Sequence, residues 1–161
     1  MATPKNFEII PFQRNEHTEL IKKILKIEKE VDEEYEHLFP PNEKEPRFDP
    51  AEYEKKGGTF ALGFWGNKLV AIGGCLPVSK DTVELVHLRV VKNCQGQGYG
   101  SELLKYLEQS AKERGFKEII LDTLKDRKKT LRFYQNRGYE KTGENKYGKT
   151  TIILFEKYIN T

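Results

Sequence analysis

The sequence predicts an α+β fold: a mixed, mostly antiparallel central sheet flanked by helices, in the order β-α-α-β-β-β-α-β-α-β-β. Three observations carry this. Residues 59–91 hold three apolar runs separated by two short turn signals, the pattern of an antiparallel meander. The apolar spacing then changes to three and four over residues 98–114 and 126–136, the period of a helix. Short strand-like runs follow each of these helices, so strands and helices alternate only in the second half.

Element by element, residues 7–12 are short and apolar and predict a strand. Leu20, Ile21, Ile24, Leu25, Ile27, Val31, Tyr35 and Leu38 then recur at helical spacing, and Pro40 and Pro41 end that helix. Residues 39–50 contain four prolines and predict a loop, followed by a short helix over about 50–56 that Gly57 and Gly58 stop. Strands are expected at 59–65, 68–78 and 82–91, with Gly66-Asn67 as a two-residue hairpin turn. Leu103, Leu104, Leu107 and Ala111 line one face of the next helix, which Gly115 closes. A strand at 118–123, a helix at 126–136 stopped by Gly138, and a final hairpin of strands 139–142 and 150–157 complete the chain.

The 161 residues are one domain's worth of sequence, expected to span 1–161 without a linker or repeat. The 28 bases against 25 acids leave a net charge of +3, which makes nucleic acid a poor candidate partner unless the bases form a local stripe. The longest apolar run, residues 69–78, is too short for a membrane span, for which about 18 residues are needed. The first ten residues lack the apolar stretch of a secretory signal. Two cysteines make neither a disulfide framework nor a cysteine-rich metal site. The expectation is a cytoplasmic domain with reduced thiols and no metal.

The most informative stretch runs from Val83 through Leu104. A strand enters a loop with glycines at alternate positions, Gly96, Gly98 and Gly100, and the loop opens a helix. A helix start leaves backbone N–H groups unpaired and carries partial positive charge, and glycines let an anion approach closely. A phosphate or pyrophosphate is the ligand this predicts. A P-loop would need Gly-Lys-Ser/Thr, which is absent. A dinucleotide fingerprint would need a third glycine where Ser101 stands, although Asp122 lies about 20 residues on. Tight turns between the preceding strands also argue against the parallel strands of that fold.

Gln95-x-x-Gly98-x-Gly100 resembles the Q/R-x-x-G-x-G/A signature of the GNAT superfamily of acetyl-CoA-dependent N-acetyltransferases. Downstream, Phe133-Tyr134-Gln135-Asn136-Arg137-Gly138-Tyr139 is similar to that family's L/F-Y-x-x-x-G-F/Y. The element order matches over most of the chain. One departure stands out: Arg127 and Thr130 occupy positions where many members carry Asn and Ala.

The resemblance implies direct transfer of acetyl from acetyl-CoA to an amine acceptor, with no metal. It assigns cofactor binding to the backbone of Gln95, Gly96, Gln97, Gly98, Tyr99, Gly100 and Ser101, and to strand residues Leu88, Arg89 and Val90, the Val90 N–H polarising the acetyl carbonyl. Arg127 can meet a phosphate. Glu84, eleven positions before Gln95, is the candidate base, and Tyr134 the candidate acid toward the leaving thiolate. The plainer alternatives are a solvent-facing strand glutamate and a core tyrosine. His87, three residues from Glu84, should face the other side of a regular strand. Cys94 beside the loop makes an acetyl-cysteine conceivable, though the family transfers directly. Lys125, Arg127, Lys128, Lys129 and Arg132 form a basic cluster that is either a solvated face or a contact for the 3′-phosphate of coenzyme A. Six acids among residues 28–36 suggest attraction of a cationic acceptor. A catalytically silent coenzyme A-binding module and a nucleotide-binding regulatory domain are the rival functions. The oligomeric state is open, a homodimer included.

Overall fold

The computed structural model describes residues 6–32 and 49–159. Seven strands form one sheet: β1 Phe7–Pro11, β2 Thr59–Trp65, β3 Lys68–Pro77, β4 Thr82–Val90, β5 Glu118–Leu124, β6 Glu140–Tyr147 and β7 Thr150–Tyr158. Their order is β1-β2-β3-β4-β5-β7-β6. Every neighbouring pair is antiparallel except β4 and β5, which run parallel. The helices are α1 Arg14–His17, α2 Ile21–Asp32, α3 Ala51–Lys55, α4 Tyr99–Glu113 and α5 Lys128–Gln135.

The two faces of the sheet bury separate clusters. Ile24 and Ile27 of α2 and Ala51 and Tyr53 of α3 pack with Phe60, Leu62 and Ile72 on one face. Leu103, Leu104, Leu107 and Ala111 of α4 and Tyr134 of α5 pack with Ala61, Ala71, Val83, Leu85 and Ile119 on the other. Alternate strand residues therefore feed opposite cores, as a two-sided sheet requires. Full burial of each Val, Leu, Ile or Phe among them stabilises by about 1.5–3 kcal/mol, and of each alanine by less. Gly74 is glycine for lack of room: a Cβ there would stand 2.6 Å from the Tyr53 ring.

Three expectations are corrected. The helix expected from Leu20 is found as α2 from Ile21, but α1 and a 3₁₀ turn at Thr18–Leu20, where no helix was expected, precede it. The expected continuation to residue 38 and most of the proline-rich loop lie outside the described residues. Strand β6 reaches Tyr147 rather than residue 142. It is an exposed edge held by its backbone ladder to β7 and the tight turn at Gly148 (φ 62°), so it needs no apolar alternation to announce it.

The third correction concerns β4. Ile72 pairs with Arg89 and Gly74 with Val86, so β4 spends one residue more than β3 across this interval. This is a β-bulge, and His87 sits in it with φ 57°. Val83 and Leu85 before the bulge and Leu88 and Val90 after it all pack on the α4 face. The side-chain alternation shifts by one, and the parity that set His87 opposite Glu84 does not apply.

Candidate functional site

Strands β4 and β5 pair only through Thr82–Glu118, Val83–Ile119 and Glu84–Ile120. Beyond Glu84 they part, while β5 continues its ladder with β7. The later half of β4 thus presents its backbone to a gap. The Val91 N–H donates to the Val70 carbonyl at 2.9 Å, which turns the N–H and C=O of Val90 away from β3 and into that gap. The outward carbonyls already have partners: Gln95 Nε2 donates to Val90 O at 2.9 Å, and Arg89 Nη1 to Leu88 O at 3.2 Å.

The glycine loop lies at the end of this strand. A 3₁₀ turn at Lys92–Cys94 leads into it, and Gly98 caps α4 with φ 90°. Gly96 has φ 79°. Both values lie where side chains with a Cβ are strained, which is why glycine occupies them. Backbone bonding of α4 starts with Glu102 N–H on Gly98 O at 3.1 Å. The N–H groups of Tyr99, Gly100 and Ser101 are those a helix start leaves for other partners. The Gln95 N–H is engaged with Lys92 O at 3.4 Å, so Gln95 belongs to the site through its side chain. The Tyr99 ring is buried, stacked on Phe7 at 4.5 Å, and its hydroxyl donates to Gln97 Oε1 in the loop at 3.3 Å. A Cβ on Gly100 would lie 3.6 Å from Val90 and 3.8 Å from Phe133, ordinary contacts, but a longer chain would crowd those two side chains beside the loop. This cradle fits a diphosphate.

Glu84 is half-buried on the face covered by α2 and α3, since it pairs with Leu76 and Ile120 there. Asp122 is two residues beyond Ile120 on the same side of β5, with access to solvent. Burial raises the Glu84 carboxyl above the ordinary range, the Asp122 charge raises it further, and the neighbouring His87 opposes them. Desolvation also raises Asp122. Two strands that part thus place two carboxylates at one mouth. Asp122 escaped the sequence reading as a site residue because only the β4–β5 pairing brings it to Glu84.

Tyr134 comes from the opposite face. It is buried, edge-on to Tyr139 at 5.4 Å. Burial pushes its phenol up to about 12, against the charges of Arg89 and Arg127. Arg127 caps α5 and is half-buried. Lys128, Lys129 and Arg132 are exposed, and Lys125 pairs with Glu144 at 3.8 Å. Cys75 is buried, its thiol raised to about 12 by desolvation, and Cys94 meets Asn93 Oδ1 at 3.5 Å. Among the described residues no His, Cys, Asp and Glu group of three or more could hold a metal ion. No helix there is long and apolar enough to cross a membrane.

A sheet opened between parallel central strands, with a glycine loop and helix start at the opening, defines an acyl-CoA-type transferase fold. The chain belongs to the acetyltransferase (GNAT) family, whose model matches residues 24–139. It is similar to human N-acetyltransferase 8B, 32% identical over 94 residues that cover 55% of this chain and 41% of that protein. The chain thus spans less than half the length of that relative. In structure it resembles a GNAT family acetyltransferase from Elizabethkingia anophelis with acetyl-CoA bound, with a TM-score of 0.70 at 20% identity, covering 96% and 99% of the two chains. An aminoglycoside 6′-N-acetyltransferase complexed with coenzyme A gives a TM-score of 0.71 at 18% identity, covering 96% and 98%.

Proposed function

We propose that this chain transfers acetyl from acetyl-CoA directly to a primary amine, and that the amine is borne by a cationic acceptor. The observation that carries the reading is the β4–β5 gap, with the glycine cradle at its end and Glu84 beside Asp122 at its mouth. Bound acetyl-CoA supplies the acetyl group as a thioester.

Each residue then has a task. The N–H groups of Gly96 through Ser101 and the partial charge of the α4 N-terminus hold the diphosphate. The Val90 N–H donates to the acetyl carbonyl as negative charge develops on its oxygen. Glu84 takes a proton from the incoming ammonium, freeing the nitrogen lone pair; a carboxyl raised toward neutrality is the stronger base for this. The new C–N bond replaces the C–S bond, and sulfur departs as thiolate. Tyr134 offers that sulfur a hydrogen bond. With its phenol near 12, complete proton transfer to a thiolate of ordinary pKa about 8.5 is uphill by roughly 5 kcal/mol. Hydrogen bonding, aided by the Arg89 and Arg127 charges, is therefore its role, and solvent protonates the thiolate.

Asp122 beside Glu84 supports the cationic acceptor, since a second carboxylate favours the ammonium form on approach. The acidic run at residues 28–36, expected to attract a cationic acceptor, lies outside the described residues from 33 on, and the side chains of 28–32 are not described either. The test is thiol release from acetyl-CoA across polyamines, lysine peptides and neutral and acidic amines. Cationic amines should turn over fastest, and Glu84→Gln should cut kcat/KM by about 10²–10⁴ with coenzyme A affinity kept. Preference for neutral or acidic amines would refute the acceptor class, and absence of thiol release with every amine would refute the transferase.

A further inference from the structure

Arg137 stands at one of the unspecified positions of the Phe133–Tyr139 stretch, and nothing in its spacing marks it out. The fold gives its guanidinium three contacts. Nε donates to Ser101 Oγ at 3.2 Å, Nη1 donates to the Phe133 carbonyl at 2.9 Å, and the group lies 3.9 Å over the Phe133 ring. Each partner belongs to the cradle. Ser101 is in the first turn of α4, and Phe133 floors Gly100. Ring stacking and two hydrogen bonds fix the fork, so little side-chain freedom remains to be lost when it binds a ligand.

We propose that Arg137 is a side-chain ligand of the cofactor's diphosphate, oriented by Ser101 and Phe133. The assignment rests on the coenzyme A reading above. The α4 N-terminus offers only partial charges, and Arg137 adds a full one beside the same turn. An arginine fork has five N–H donors, and the two contacts leave its Nη2 edge for phosphate oxygens. The basic cluster at Lys128 and Lys129 begins α5, whereas Arg137 follows its end, so about 12 Å of helix separates them. That distance assigns Arg137 to the phosphates at the α4 start rather than to whatever phosphate Lys128 and Lys129 reach.

Calorimetric titration of coenzyme A and of dephospho-coenzyme A into wild type, Arg137→Gln and Arg137→Lys tests this, with melting of each ligand-free protein alongside. Arg137→Gln should weaken both ligands equally, by about ten- to a hundredfold, and flatten the dependence of affinity on ionic strength. Arg137→Lys keeps the charge but loses the fork, and should recover only part of the loss. Should Arg137→Gln melt too early to titrate, wild type against Arg137→Lys decides, a several-fold loss on both ligands being the expected result. Unchanged affinities overturn the proposal. So does a loss confined to coenzyme A, which would assign Arg137 to the 3′-phosphate. A loss that keeps the wild-type salt dependence makes Arg137 structural and also overturns it. Failure of the wild type to bind either ligand would instead refute the coenzyme A reading, and this assignment with it.

Discussion

Glu84 couples stability and chemistry in opposite directions. Burial and Asp122 raise its folded pKa above the value in the unfolded chain, so the folded protein holds that proton more tightly. Stability is then lost as pH rises from the ordinary carboxyl value through the raised one. Glu84→Gln should melt higher than wild type at neutral pH, and the gain should vanish in acid, where the wild-type carboxyl is protonated. A lower melting temperature at neutral pH would contradict this. Asp122→Asn removes the like charge and should move the acidic limb of the kcat/KM profile to lower pH. An unmoved limb would separate Asp122 from the base. Tyr134→Phe should lower kcat by about tenfold with coenzyme A affinity kept, the loss of one hydrogen bond to a charged group. Wild-type kcat would return Tyr134 to a packing role. At this scale the sequence offers Glu84 and Tyr134 as candidates, Glu84 by its spacing from Gln95 and Tyr134 by its place in the second motif. It hides Asp122 and Arg137, whose contacts with Glu84 and Ser101 span 38 and 36 positions along the chain, because nothing local marks such contacts.

The elements that matter most are β4, α4 and α5. Helices α4 and α5 are readable because apolar spacing and terminal glycines are local signals. The bulge in β4 is not, since an extra residue leaves the apolar pattern almost intact and shows itself only in pairing. Yet the bulge shifts the strand's alternation just before Val90, so one strand can show Glu84 to the α2 face and Leu88 and Val90 to the α4 face. The far side of α4 is tied to the terminal hairpin through Glu108, whose Oε2 accepts from Tyr139 Oη and Lys157 Nζ, each at 2.9 Å. Burial and the Glu108 carboxylate push the Tyr139 phenol up, so it remains a donor throughout the working pH range. Tyr139→Phe should cost about 1–3 kcal/mol, seen in denaturant unfolding, with coenzyme A affinity unaffected. A loss of coenzyme A binding in this variant would mean that the network reaches the cofactor site.

At the scale of the whole molecule, the sheet is a frame that brings two faces to one opening. The cofactor cradle belongs to α4 and α5, the carboxylates face α2 and α3, and the parting of β4 from β5 connects them. Element order and the glycine loop made this frame legible in advance, whereas the parting itself depends on where pairing stops. The central claim is that a coenzyme A ligand lies in this cradle, and thermal melting tests it directly. Coenzyme A at about 100 times its dissociation constant should raise the wild-type melting temperature by roughly 5–11 °C. Gly100→Ala should melt and respond like wild type, because its Cβ meets only ordinary contacts. Gly100→Leu should fold, yet show no coenzyme A shift, as its side chain would project past Val90 and Phe133 beside the N–H groups of the cradle. No shift in the wild type at millimolar coenzyme A, or a full shift in Gly100→Leu, would contradict the account.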